Sequence, residues 1–155
     1  MSAVPRPLPC PDPDTRPFWD ACRRHQLCLQ RCSACEAFRF YPGPLCPSCG
    51  SPESRWQRIS GRGEVYSYVV VHRAAHPAFG GDVPYAVALV ELEGTGGIRL
   101  PARVVECPPE AVRVGIAVEV CFEDASEQIT LPVFRPVDAP AGERLIRRRD
   151  GGADA

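Results

Sequence analysis

The sequence predicts a mainly β chain in which a short helix and a small cysteine-rich module precede a five-stranded barrel. Three observations carry this expectation. Four of the nine cysteines form two C-x-x-C pairs, Cys32/Cys35 and Cys46/Cys49, in a stretch with little hydrophobic periodicity. From Gly63 onward, β-branched and aromatic runs are separated by turn residues at short spacing. Ahead of both, Phe18, Ala21, Cys22 and His25 repeat at i, i+3, i+4 and i+7, the spacing of one helix face.

With 155 residues, 45% hydrophobic and 24% charged, the chain is sized for one domain, or one small domain with an added module. A net charge of −1 excludes a globally basic nucleic-acid binder, but it hides an asymmetry. Cys22 to Arg62 carries seven arginines against Glu36 and Glu53, whereas Gly63 to Val137 carries five arginines against ten acids. There is no lysine, so a lysine Schiff base and a P-loop lysine are both excluded. No apolar run approaches the roughly 18 residues of a membrane helix, and the N-terminus has no apolar signal-peptide core. We therefore expect a cytoplasmic protein without a membrane partner. In that reducing compartment its cysteines serve as metal ligands and small buried hydrophobes.

Residues 1–13, with Pro5, Pro7, Pro9, Pro11 and Pro13, are expected to be a flexible, extended arm. Residues 14–27 form the helix, capped by Asp14 or Thr15 with Pro17 in its first turn. It is short enough to need a docking surface. Residues 28–57 are the cysteine module and 58–137 the barrel. Residues 138–155, holding Arg147-Arg148-Arg149, are expected to be a mobile tail. The barrel strands are Val65–His72, Tyr85–Glu93, Ile98–Glu106, Ala117–Glu123 and Ile129–Arg135, with a helical turn at Pro109–Arg113. Five strands with a small helix after the third is the order of an OB-fold barrel. Its longest connection, Arg73–Pro84, then flanks the binding face together with the loop between strands four and five.

Two C-x-x-C knuckles ten residues apart are the spacing of a rubredoxin-like zinc ribbon. Each tight turn presents two sulfurs, and two turns complete a tetrahedron. Cys32, Cys35, Cys46 and Cys49 are therefore the expected ligands of one structural zinc ion. Four thiolates leave no open position for water or substrate, so chemistry at this metal is not expected. No G-x-S-x-G, G-x-G-x-x-G or H-E-x-x-H occurs, and no nucleophile–base pair stands out among Cys10, Cys22, Cys28, Cys107, Cys121 and the three histidines. Gly61-Arg62-Gly63 is too short for a phosphate loop and serves the turn into the first barrel strand.

Phe18-Trp19, Leu29-Gln30-Arg31-Cys32-Ser33-Ala34-Cys35, Tyr41-Pro42 and Cys46-Pro47-Ser48-Cys49-Gly50-Ser51 come first in a longer pattern. It continues through Gly61-Arg62-Gly63-Glu64-Val65-Tyr66-Ser67-Tyr68 and Pro84-Tyr85 to Leu131-Pro132-Val133-Phe134-Arg135-Pro136. This order resembles the DUF35 family of zinc ribbon–OB-fold proteins over roughly residues 15–137. The resemblance implies a non-catalytic accessory subunit of acyl-CoA metabolism. Its partner would be a thiolase-like enzyme, either a thiolase or a lipid-transfer-type aldolase, or a hotdog-fold enoyl-CoA hydratase. The chemistry would lie in that partner.

Arginine suits the phosphates of coenzyme A because its planar fork gives paired, charge-assisted hydrogen bonds. On that reading Arg39, Arg62, Arg73 and Phe79 are the candidate acyl-CoA contacts; a solvated face or a docking patch for an acidic partner is the alternative. Phe38, Phe40 and Tyr41 lie in a module with almost no interior. They either hold the partner or pack on the barrel, and Phe18 and Trp19 of the helix are expected to hold the partner with them. We expect docking through helix and ribbon, with the 73–84 loop toward the acyl-CoA. The competing function, a single-stranded nucleic-acid module, needs a basic groove with stacking aromatics. The acidic barrel segment argues against it.

Overall fold

The computed structural model describes residues 5–137, so the expectation of a mobile tail at 138–155 lies outside the described residues. The helix α1 spans Arg16–Arg23 and starts differently from the expected cap. Thr15 holds the N-cap position, but its hydroxyl donates to Asp12 Oδ1 (2.8 Å) instead of capping the helix. Asp12 Oδ1 also accepts from Thr15 N (2.8 Å), and Arg16 N donates to the Asp12 carbonyl (2.8 Å), so Asp12 fixes the chain's entry into α1.

Three short strands follow: β1 (Cys28–Cys32), β2 (Phe38–Arg39) and β3 (Ser54–Arg58), paired antiparallel in the order β2-β1-β3. The barrel strands are β4 (Arg62–Val71), β5 (Tyr85–Leu92), β6 (Arg99–Val104), β7 (Ala117–Asp124) and β8 (Thr130–Pro136). They close in the order β4-β5-β6-β8-β7, through antiparallel ladders and one parallel pairing, Val104 with Phe134. A single 3₁₀ turn, Pro109–Ala111, sits between β6 and β7. The five expected strands thus occur, each within a few residues of its expected bounds.

Alternation explains the closure. In β5, Ala86, Ala88, Val90 and Leu92 point inward, and in β6, Leu100, Ala102 and Val104 do the same. With Val65, Val118 and Phe134 they fill the interior. Two glycines allow the tight entry into β4. A side chain on Gly63 would strike the Glu91 carbonyl, and one on Gly61, whose φ is +75°, would strike Val120. The role expected for Gly61-Arg62-Gly63 as a turn into the first barrel strand is the one observed.

The core does not stop at the barrel wall. Phe18 and Cys22 of α1, with Leu27 and Leu29 of the ribbon, belong to the same buried cluster as the barrel residues. The docking surface that the helix needed is therefore the protein's own: Phe18 is 1% exposed and Cys22 fully buried. This corrects the expectation that Phe18 offers itself to a partner. Its ring is spent internally, against Trp19 (centroids 5.0 Å apart) and Phe40 (5.5 Å).

Candidate functional site

The first site is the four-cysteine cluster. Cys32 ends β1, and Cys35 follows in the turn toward β2. Cys46 and Cys49 form the second knuckle, whose turn is closed by Gly50 N donating to the Cys46 carbonyl (2.8 Å) at φ +76°. All four Sγ atoms lie within 4.8 Å of one another. Cys32 to Cys49 and Cys35 to Cys46 are each 3.6 Å apart. A tetrahedral ion with four bonds of about 2.3 Å has sulfur–sulfur edges of about 3.8 Å, so the donor set fits one metal ion.

Electrostatics points the same way. Backbone N–H groups of Ser48 and Cys49 pull the Cys46 thiol down to about 6. Backbone N–H donors, that of Cys35 first, also lower Cys32. At Cys35 the Ala37 N–H acts in the same direction, but hydrogen bonding with the Cys49 thiol, burial and the other two thiols push the group up to about 12. Four clustered sulfurs cannot all ionise together without a cation among them. With no open position in a four-sulfur set, such a cation would hold the fold and bind no substrate.

The second site is a cleft of about 950 Å³ where the arm, α1, the ribbon aromatics, β6, β8 and the 73–84 loop meet. The arm is held down here. Arg6 Nη2 lies 2.7 Å from Asp82 Oδ2, and its guanidinium sits 5.3 Å from the Phe79 ring centroid. From β6, Arg103 reaches the same Asp82 carboxylate (3.3 Å) and stacks over Tyr85 (4.9 Å). Across β8 the cleft is lined by Glu123 and Asp124. The Thr130 hydroxyl (2.7 Å) and His25 Nε2 (3.3 Å) both contact Asp124 and hold its carboxyl below the usual carboxylate range. His25 itself stacks flat on Phe122 (5.3 Å).

The candidate residues separate on these coordinates. Trp19, Phe40 and Tyr41 line the cleft, with Phe18 buried behind them and Tyr41 half exposed. Phe38 faces elsewhere, under the Arg31 guanidinium (4.9 Å). Of the four suggested acyl-CoA contacts only Phe79 lines the cleft. Arg62 lies on β4 opposite Glu119 of β7, and Arg73 is exposed in the loop. Arg39 is buried at 5% exposure: its Nε donates to Gln30 Oε1 (2.7 Å), while neither terminal nitrogen has a partner among the described residues. That burial corrects its expected place on a phosphate-facing surface.

Arg6, Asp82, Arg103, Leu131 and Pro132 were missed as a group. The only hint was the length of the 73–84 loop.

Two family models together match residues 19–123. Residues 19–55 match "ChsH2, rubredoxin-like zinc ribbon domain", and residues 56–123 match "ChsH2, C-terminal OB-fold domain". A DUF35 domain-containing scaffold protein of Methanocaldococcus jannaschii is 37% identical over 105 residues, which are 67% of this chain and 72% of that one. The chain belongs to the DUF35 family. A second relative is named as a probable enoyl-CoA hydratase alpha subunit of Thermomonospora curvata. It is 43% identical over 131 residues, 84% of this DUF35 chain but only 40% of the relative's own length. A solved structure described as "Ltp2-ChsH2(DUF35) aldolase" superposes with a TM-score of 0.75 at 42% identity, covering 83% of this chain and 98% of that one. Among the described residues, no helix is long and apolar enough to cross a membrane.

Proposed function

We propose that this DUF35 protein is an accessory subunit of acyl-CoA metabolism. It assembles with a thiolase-like aldolase or an enoyl-CoA hydratase, and the partner carries the chemistry. The observation that carries this reading is the 42% identity to a structure described as a DUF35–aldolase assembly, matched over 98% of that chain. The scaffold name of the Methanocaldococcus jannaschii relative and the hydratase-subunit name of the Thermomonospora curvata one support it. The chain's own chemistry agrees: the sulfur cluster has no open position, and among the described residues no nucleophile is paired with a base in the cleft.

The four cysteines hold one structural zinc ion on this reading, supported by the zinc-ribbon family match over residues 19–55 and by a four-thiolate set that suits structural zinc. Docking runs through Trp19, Phe40 and Tyr41, the aromatic residues that line the cleft. The nucleic-acid alternative loses ground, since Arg6 and Arg103 are both paired with Asp82 and two more carboxylates lie across β8. The test is co-expression with the candidate enzyme encoded nearest in the host genome. The expected result is a stable complex with acyl-CoA turnover that neither chain shows alone. Turnover by this chain alone would overturn the accessory role.

A further inference from the structure

Arginine pairing is uneven across the molecule. Arg6, Arg31, Arg55, Arg99, Arg103 and Arg135 are each ion-paired with a carboxylate. Arg16, Arg23, Arg24 and Arg58 are exposed and have no carboxylate partner among the described residues. These four gather on one side. Along α1, Arg16, Asp20, Arg23 and Arg24 recur at the spacing of a single helix face. In the ladder between β1 and β3, Arg58 stands opposite Cys28 and Trp56 opposite Gln30, so these side chains leave the sheet on a common face.

Between this helix face and the sheet lies an open hollow of about 470 Å³. Pro17, Ala21, Cys28 and Trp56 line it, and Arg16 and Arg24 stand at its edge with one acid, Asp20. Although one turn from both arginines, Asp20 pairs with neither. Arg58 belongs to the same group. Burial raises the Cys28 thiol, and the charges of Arg24 and Arg58 both act against that rise. The hollow is separate from the cleft: Phe18 and Trp19 of α1 line the cleft, whereas Arg16, Asp20 and Arg24 line the hollow.

Unpaired arginines on one face select an anion, because their hydrogen bonds to carboxylate or phosphate are the strong, charge-assisted ones. Three observations choose among anions. The rim residues Pro13, Arg16 and Arg24 are exposed, so the hollow does not enclose a small molecule as ligand pockets do. Among the described residues Trp56 is the only aromatic ring lining it, whereas single-stranded nucleic acid is held by successive stacking rings. A second copy presenting the same face would set arginine against arginine. An acidic peptide meets all three conditions. Its carboxylates reach separate arginines along an extended chain, and an apolar side chain between them covers Trp56.

We propose that this hollow docks an acidic peptide segment of another protein, with its carboxylates paired to Arg16, Arg24 and Arg58 and an apolar residue seated on Trp56 and Ala21. The site stands independently of the accessory role above and of the cleft aromatics.

The full, metal-loaded chain is titrated against a fluorescein-labelled peptide in which one leucine lies between pairs of aspartates. The same peptide with asparagine for aspartate is the control. Anisotropy should report binding of the acidic peptide alone, weakening severalfold as ionic strength rises from about 0.1 M to about 1 M. Glycine in place of the leucine should weaken binding by about tenfold, the effect of half-burying that side chain. Bound peptide should slow alkylation of Cys28, read by mass spectrometry, and leave Cys107 unaffected.

Arg24→Gln and Arg58→Gln should each lower affinity by about two- to fivefold, the range of an exposed ion pair, with an unchanged melting temperature. Reversing both charges, Arg24→Glu with Arg58→Glu, should abolish binding. Arg99→Gln, on β6 outside the hollow, should leave it unchanged. Failure to bind the acidic peptide, equal binding of the asparagine peptide, or an equal loss in Arg99→Gln would each overturn the assignment. Tighter binding of oligothymidine or of inorganic phosphate than of the peptide would do the same, as would self-association that Arg24→Gln abolishes.

Discussion

The ribbon's strands, of five, two and five residues, surround four sulfur atoms, and its buried side chains include Gln30 and Arg39. In the barrel the strands run from six to ten residues and the interior is aliphatic apart from Phe134. The barrel can close by burying alternate side chains. The ribbon has too little apolar surface for that, and ligand bonds must replace it. The two regions differ in material but not in independence. Phe18, Leu27 and Leu29 link them through one core, so failure of the metal site should reach the barrel.

The largest effect should therefore follow metal loss. Cys32→Ser or Cys46→Ser should leave less than one zinc per chain and a protease-sensitive protein, because structural zinc contributes on the order of 10 kcal/mol to folds of this kind. Metal analysis with a thermal melt checks it. A metal-free protein that melts like the wild type would sink both the zinc assignment and the contrast with the barrel.

Next come the two aromatic residues on either side of the junction. Phe134→Ala and Phe18→Ala should each cost about 3–5 kcal/mol in denaturant unfolding, as large buried rings do. If Phe18→Ala costs as much as Phe134→Ala and both leave a single transition, ribbon, helix and barrel unfold as one unit. Two separate transitions would break that picture.

A smaller effect is expected at the cleft. Phe40→Ala or Tyr41→Ala should weaken the complex with the partner enzyme by more than about 1 kcal/mol, as interface anchors do. Calorimetry on folded, metal-loaded variants is the measurement, and unchanged affinity in both would move the interface away from this face.

The smallest effect concerns Asp124. Its carboxyl is held below the ordinary 3.8, first by the Thr130 hydroxyl and then by His25. A lowered folded value adds stability above the unfolded pKa and loses it as pH falls through the folded one. Thr130→Val should accordingly raise the Asp124 pKa toward 3.8 and reduce stability slightly at neutral pH, with the difference vanishing in acid. An NMR titration of this carboxyl that shows no change would remove Thr130 as its main partner.

The local chemistry was legible from residues alone. Cysteine spacing identifies the four clustered sulfurs because two sulfurs in one tight turn are already close before the fold forms. The barrel strands are legible because alternation repeats every two residues, and β5 shows it residue by residue. The ribbon strands β1, β2 and β3 had no such repeat, since one of them is two residues long and their inner faces carry Gln30 and Arg39. Helix periodicity likewise marked the Phe18 face as needing a cover.

Which surface supplies that cover is a tertiary matter, and the answer was the protein's own core. The clasp of Arg6 on Asp82 joins residues 76 positions apart, and His25 meets Asp124 across 99. Neither pairing leaves a trace in periodicity or spacing, because each exists only after the barrel has closed and carried the 73–84 loop and the end of β7 to the arm and helix. The sequence alone determined the four-cysteine cluster and the barrel, whose contacts are local or periodic. The closed fold alone decided the cleft, whose walls come from segments distant in the chain.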